Sequence, residues 1–361
     1  MRIVFVADDI DAVGGIQTAT HTLAQHLTGR GHQVHVVGLY ANPDPAGPPE
    51  TPRYRRTVLH APPPHMPADP GRLCSAKRQM RQIIDAGDVT IMSSVHVSLW
   101  LHDLPSSIAR PVRIGHYHGS YEYARGHYHL NVIRDLWPHL DAGVFLSPDD
   151  AAAFAAHTRL RTTWIPNPLS AAAPPAAPPR LDRVLAVGRL AAIKRFDLAI
   201  TAFTRAAVSG WQLHLIGDGE QEHTLRRLAE PAGDAVVFRG RLPAGDMPGE
   251  YAAAQLLVMT SAHEGFGMVI AEAFAAGTPA VAFNVSGGVR FLVRHDHTGL
   301  LVTPGDLDAL TTALRALMSD PPRRRQLGHA ARSTAQRLHP DTITGQWEHL
   351  LAGLTRQEAR P

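Results

Sequence analysis

Short apolar runs recur along the chain, each followed by a stretch whose apolar residues return every three or four positions. The runs are RIVFVAD (2–8), QVHVVGLY (33–40), DVTIMSS (88–94), VRIGHYH (112–118) and AGVFLS (142–147). They resume at RVLAVG (183–188), WQLHLIG (211–217), AVVFRG (235–240), QLLVMTS (255–261) and TPAVAF (278–283). They are apolar on both faces, the pattern of parallel strands covered by helices. Between them, segments such as IQTATHTLAQHLTGRG and RFDLAITAFTRAAV carry helical periodicity. This alternation predicts βαβ units and an α/β fold. The series breaks once, at PNPLSAAAPPAAPPRLDR (166–183), where five prolines fall between 168 and 179. Proline removes backbone donors and fixes φ, so an extended linker is expected there. It divides the chain into similar halves, 1–168 and 169–340, followed by an amphipathic helix over 341–361. A ligand cleft is expected between the halves, at the carboxyl ends of both sheets. A second proline-rich stretch, ANPDPAGPPETPRYRR (41–56), reads as a surface loop.

The 361 residues are 44% apolar and 19% charged, which suits two globular domains with a sizeable core each. The one cysteine, Cys74, has no intrachain partner, so a reducing cytoplasm is the expected compartment. The start, MRIVFVADD, has none of the features of a signal peptide, and no apolar run approaches a membrane span. Net charge is +3, but basic residues cluster at RYRR (53–56), KRQMR (77–81) and RRR (323–325). Such clusters are solvated faces or mark an anionic partner, with peripheral contact at the inner face of a membrane among the options. Nucleic acid is the weakest candidate partner: aromatics are 6% and no recognition motif is present.

Chemistry concentrates at MTSAHEGFGMVIAEAFAAGTP (259–279). A strand ends, a glycine loop follows, and a helix is predicted from about Gly267 to Ala276, with Gly277 past its end. The N–H groups of Phe266, Gly267 and Met268 would face an anion at the helix N-terminus, and Gly265 and Gly267 allow close approach. Glu272 would stand ~7 Å further along the helix axis, within reach of a ribose attached to a diphosphate at the helix end. Glu264 lies in the loop itself. AVGRLAAIKRFD places Arg189 and Lys194 after another strand, where two cations suit a diphosphate leaving group. DAVGGIQ places Gly14 and Gly15 between the first strand and its helix. Each feature taken singly also fits an ordinary loop or surface charge; together, on a two-half α/β chain, they point to a nucleotide-sugar site.

At these motifs the chain resembles the retaining nucleotide-sugar glycosyltransferases of family 4, whose GT-B fold sets two Rossmann-like domains with parallel sheets face to face across a cleft. The resemblance rests on the GG loop, RGHQVHVV (30–37), IPN (165–167), VGRL with Lys194, IGDGE (216–220), the E-x7-E pair, GLLVTPGD (299–306) and QWEHL (346–350). It implies a nucleotide-sugar donor, foremost a UDP-sugar, and a hydroxyl acceptor: a cell-envelope polymer, a lipid-linked glycan or a natural product. It implies that Arg189 and Lys194 hold the diphosphate and Glu272 the ribose. Glu264 and the N–H groups of Phe266, Gly267 and Met268 would hold the sugar and its phosphate. Gly15 would close on the phosphates and His118 would face the sugar. The backbone at Arg241 and Leu242 would cradle the base, and the helix around Trp347 would cross back to the first domain. The sequence departs from the family pattern at Pro168, at Arg195 after Lys194, and at Arg290-Phe291.

With no obvious covalent nucleophile, front-face substitution is the expected route to retention, with no metal and no cofactor. DID (9–11) reads as a loop rather than a metal motif. The pairs His116/His118 and His127/His129 lack the cysteines or paired carboxylates of a ligand set. The alternatives are a non-catalytic binding partner of the same fold and a phosphorylase. A two-carboxylate hydrolase explains the glycine loop less well.

Overall fold

A computed structural model describes residues 1–12, 14–43, 45, 51–61, 70–104, 111–170 and 180–358. The proline-rich part of the expected linker, 171–179, and part of the expected surface loop, 44 and 46–50, lie outside the described residues. The chain divides into two compact units, Met1–Ser170 with His339–Pro361, and Ala171–Leu338.

In the first unit seven parallel strands form one sheet: β1 (Arg2–Ala7), β2 (Gln33–Gly38), β3 (Arg55–Val58), β4 (Val89–Met92), β5 (Val112–His116), β6 (Ala142–Phe145) and β7 (Thr162–Trp164). Their order is β3-β2-β1-β4-β5-β6-β7. β1 pairs with β2 on one side and with β4 on the other, so the chain reverses its direction of travel across the sheet there. Helices cover both faces, which explains why β1 and β4 are buried almost throughout. The helix Pro340–Glu358 completes this unit. Ile343, Trp347, Leu351 and Leu354, at helical spacing, join the core cluster that holds Ile3, Phe5, Val36 and Ile114. Its polar side is fixed by Glu348, which accepts from Arg30 Nη1 at 2.8 Å and from His32 Nε2 at 3.0 Å.

In the second unit six parallel strands, β8 (Arg183–Val187), β9 (Gln212–Ile216), β10 (Val236–Gly240), β11 (Leu256–Met259), β12 (Ala280–Phe283) and β13 (Gly299–Val302), take the order β10-β9-β8-β11-β12-β13. Counted from the first strand of the unit, this is the 3-2-1-4-5-6 order of a dinucleotide-binding sheet. The loops after β8 and β11 leave in opposite directions and open a crevice at the carboxyl edge.

All ten runs read from the sequence form strands, and three further strands appear. β3 (RRTV), β7 (TTW) and β13 (GLLV) stand at sheet edges; β3 and β7 are only partly buried, so no long apolar run is needed there, and β13 is a buried run of four residues. Arg55 and Arg56 therefore belong to a strand, not to the surface loop expected over 41–56. Tyr54 is buried with its hydroxyl 2.6 Å from His21 Nδ1, and Arg56 pairs with Asp11.

Two glycines fix how the loops at the carboxyl edge of the second unit nest. At Gly217, with φ 138, a Cβ would stand 2.0 Å from the carbonyl oxygen of Gly188, so the loops after β8 and β9 touch backbone to backbone. At Gly288 a Cβ would stand 2.2 Å from the oxygen of Gly265, which presses the helix Gly287–Leu292 against the glycine loop after β11. Gly217→Ala is expected to destabilise the second unit by at least about 2 kcal/mol, through backbone strain and overpacking together. Thermal unfolding followed by circular dichroism should show a melting temperature lower by several degrees; an unchanged melting curve would contradict the nested packing.

Candidate functional site

The crevice of the second unit is closed at its base by the residues between β8 and the next helix. Ala192–Lys194 form a 3-10 turn, and Phe196 begins the helix Phe196–Ala206. Arg195 between them takes the left-handed conformation, φ 49, which a glycine adopts at less cost; its guanidinium pairs with Asp197 at 2.9 Å. The departure from the family pattern at Arg195 thus falls on a backbone conformation that favours glycine. The turn is tied across to the loop after β11 by two bonds: Thr260 Oγ1 donates to the Lys194 carbonyl at 3.0 Å and Ala262 N–H to that of Ile193 at 2.8 Å. A third tie is ionic. Lys194 Nζ donates to Glu264 Oε2 at 2.8 Å, with both side chains half-buried. The sequence-predicted cation and carboxylate thus meet across the topological switch point.

From Glu264 the chain passes through Gly265 and buried Phe266 to Gly267, the N-cap of the helix Met268–Ala275, at φ 89. The helix begins one residue later than expected. The N–H groups of Phe266, Gly267 and Met268 have no hydrogen-bond partner among the described residues, as geometry dictates for a first helical turn. The Phe266 ring lies 6.0 Å from that of Phe291, so the second departure, Arg290-Phe291, puts an aromatic ring beneath the glycine loop. Arg290 Nη1 donates to Asn284 Oδ1 at 3.1 Å.

Glu272 is half-buried on this helix. Its Oε2 accepts from the Tyr251 hydroxyl at 2.7 Å, and burial raises its pKa despite that bond. Tyr251 is a residue that sequence reading missed. It sits in the helix Met247–Ala253, and nothing in its spacing to position 272 signals the contact. Arg189 follows Gly188, is exposed, and makes no side-chain hydrogen bond or ion pair among the described residues. Arg241 is exposed and Leu242 half-buried just after β10. They share the same sheet edge two strands from β8, about 10 Å away at the spacing of neighbouring strands.

In the first unit Gly15 opens the helix Gly15–Gly29 after β1, with Gly14 as an N-cap that has no side-chain bond. Asp8, Ser94 and His96 gather at this unit's switch point, after β1 and β4. A hydrogen bond from Ser94 and the nearby His96 oppose the burial that raises the Asp8 pKa. Their separation in sequence, more than eighty residues, left no signal. DID (9–11) serves the loop: Asp9 Oδ1 accepts from the N–H groups of Asp11 and Ala12 at 2.8 and 3.1 Å. His118, just past β5, is buried; neither ring nitrogen has a hydrogen-bond partner among the described residues, and burial takes its pKa down to about 3. The ring lies 4.0 Å from that of His116, which in turn meets Trp347 at 5.0 Å. Both histidines are therefore neutral at physiological pH. No group of three His, Cys, Asp or Glu side chains among the described residues is placed to hold a metal ion.

These two units, each a parallel sheet in doubly wound order, define the α/β class of the GT-B glycosyltransferases. Residues 13–173 match the model of Glycosyltransferase Family 4 and residues 173–334 that of Glycosyl transferases group 1, and the chain belongs to this family. An exopolysaccharide phosphotransferase of Streptomyces coelicolor is 29% identical over 402 residues, covering 100% of this chain and 42% of that protein. A GDP-mannose-dependent phosphatidylinositol monomannoside mannosyltransferase of Mycobacterium tuberculosis is 34% identical over 175 residues, 45% of this chain and 43% of that one. The chain thus spans less than half the length of each of these relatives. Among solved structures, Anabaena HepE in complex with UDP and glucose has the same fold, with a TM-score of 0.78 and 20% identity over 98% of this chain and 100% of that one.

The raised pKa of Glu272 has a sign that can be measured. The folded state holds this proton above the ordinary value of 4.5, where the unfolded chain has released it, so the group costs stability as pH rises through that window. Glu272→Gln removes the cost. Its melting temperature should match the wild type at about pH 4 and exceed it at about pH 8; a difference that does not grow with pH would contradict the buried setting.

Proposed function

We propose that the protein transfers a hexose-type sugar from a nucleotide-sugar, a UDP-sugar foremost and a GDP-sugar next, to a hydroxyl acceptor, with retention and without a metal ion. The observation that carries the reading is the Lys194–Glu264 pair across the switch point, beside three unpartnered N–H groups at a helix N-terminus. A diphosphate placed there meets the free guanidinium of Arg189, the shared ammonium of Lys194 and the helix dipole, three sources of positive potential on one anion. Glu264, already turned toward Lys194, is close enough to that anion to take hydroxyls of the attached sugar. Glu272, held by Tyr251, takes the ribose, and the backbone at Arg241 and Leu242 takes the base. His118 is neutral with two unpartnered nitrogens, which suits a polar contact to an uncharged sugar.

In the reaction the bond from the anomeric carbon to the diphosphate oxygen breaks as the acceptor oxygen bonds to the same face. A diphosphate oxygen takes the proton of the acceptor hydroxyl, so charge leaves with the nucleotide and no protein base is needed. Arg189, Lys194 and the helix N-terminus stabilise the negative charge that grows on the leaving group. The acceptor belongs to the cell envelope on this reading, by analogy with the two relatives that act on an exopolysaccharide and on a lipid-linked mannoside. No helix among the described residues is long and apolar enough to cross a membrane.

Purified protein titrated with UDP, GDP, dTDP and ADP and their common sugars, in the presence of a chelator, is expected to gain melting temperature with one nucleotide series. Binding to the folded state raises it by mass action. No shift with any of them would overturn the donor reading and favour a non-catalytic partner. Lys194→Ala and Arg189→Ala should each lower turnover by roughly 10²–10³, the usual loss on removing one stabilising donor, with the fold intact. Glu272→Ala should lose nucleotide affinity, and unchanged affinity would favour a phosphorylase.

A further inference from the structure

Of the three basic clusters in the sequence, two are paired in part within the fold. Arg56 pairs with Asp11, Lys77 with Asp103 and Arg81 with Asp85. The third, Arg323–Arg325, divides in a different way. Arg323 pairs with Asp296 at 2.6 Å. Arg324 is buried, donates to the carbonyls of Leu317 and Met318, and stacks over Trp211. Arg325 is exposed and has no side-chain partner among the described residues.

Arg325 belongs to the helix Pro321–Gln336, which carries four arginines and a histidine and no acidic residue over sixteen positions. Arg325, His329 and Arg332 stand at i, i+4 and i+7, on one face. Two arginines in its first turn oppose the helix dipole. The face lines a cavity of about 210 Å³, together with Arg180, Arg324 and the glycines Gly277 and Gly328. None of the lining residues is acidic. Asp182 and Asp320 attract Arg324 from outside the lining.

The cations are held in place by dipoles rather than by carboxylates. Arg180 donates to the carbonyls of Ala254, Ala276 and Gly277 and to Thr278 Oγ1, at 2.6 to 3.0 Å. Arg332 Nη2 donates to Ala276 at 2.9 Å and keeps its other N–H groups. Burial, and then the neighbouring Arg332, lowers the Arg180 pKa, the mark of cations gathered without counter-charge. Gly328 packs so closely on Gly277 that a Cβ would stand 2.3 Å from its oxygen, which brings the basic face down onto the end of the helix Met268–Ala275.

The cavity sits at the amino edge of the sheet, since Arg180 precedes β8, Gln255 precedes β11 and Pro279 precedes β12. The loops of the candidate donor crevice lie at the other edge, about 16 Å away for five extended residues. We propose that this cavity is a second anion site, which takes a phosphate-type dianion, free or on a lipid headgroup, through Arg325, His329 and Arg332 with Arg180 as a fixed floor. Guanidinium groups in number favour phosphate because each offers a planar fork of donors.

Arginine modification by phenylglyoxal, read residue by residue by peptide mass spectrometry, tests it without any nucleotide. Inorganic pyrophosphate should slow modification of Arg325 and Arg332 by about tenfold relative to chloride at equal ionic strength, while exposed Arg78 reacts unchanged. Vesicles of phosphatidylglycerol and phosphatidylcholine form the second arm. Protection by vesicles but not pyrophosphate assigns the phosphate to a headgroup, and protection by pyrophosphate assigns it to a free ion. Equal rates in every arm overturn the site. In a Lys194→Ala background, pyrophosphate should raise the melting temperature, and Arg325→Gln with Arg332→Gln should abolish that rise. A rise that survives the double substitution would also overturn it.

Discussion

The second unit depends on one constraint: β8 and β11 are neighbours, yet the chain leaves them in opposite directions. Two loops that diverge would leave their backbone polar groups to water and their side chains unsupported. Here they are tied at their roots by Thr260 to Lys194, Ala262 to Ile193, and the Lys194–Glu264 pair. These ties set the position of the glycine loop, and with it the start of the helix Met268–Ala275. The nesting of Gly217 against Gly188 and of Gly288 against Gly265 then follows, because the loops have no other room. A half-buried ion pair is weak as a source of stability, since desolvation offsets much of its attraction. Its value lies in holding a cation and a carboxylate at a fixed separation beside unpaired N–H groups.

The same logic shapes the first unit with different residues. Its switch point gathers Asp8, Ser94 and His96 in place of a lysine–glutamate pair, and a neutral His118 stands near by. One unit thus sets a lysine–glutamate pair and an exposed arginine after its switch-point strands, the other a buried neutral histidine and a carboxyl whose pKa burial raises. On the proposed reading, the first kind of surface suits an anion and the second uncharged hydroxyls.

Much of this was legible in the chain. Short apolar runs buried on both faces announced ten strands, and the glycine loop with Glu264 and Glu272 announced the helix Met268–Ala275. What stayed hidden has physical causes. The edge strands β3 and β7 are short and partly exposed, so their residues need no double-sided apolar pattern, and β13, though buried, has only four residues. Tyr251 reaches Glu272 through tertiary packing, which no local spacing encodes. The burial of Arg324 and the engagement of Arg323 could not be told from RRR, because a guanidinium satisfied by carbonyls reads the same in sequence as one in water. Arg195 shows the converse: its left-handed backbone is the reason a glycine is natural at that position, and only the structure says why an arginine there needs Asp197.

The helix Pro340–Glu358 carries a consequence for how the molecule comes into being. Trp347 and its neighbours are part of the same core as β1, yet more than three hundred residues separate them. On the ribosome the first unit is thus held open, its apolar face waiting for the last helix, while the contiguous Ala171–Leu338 segment has all its own strands as soon as it emerges. The core around β1 therefore closes only after the last helix has been made, although its first strand is among the earliest residues.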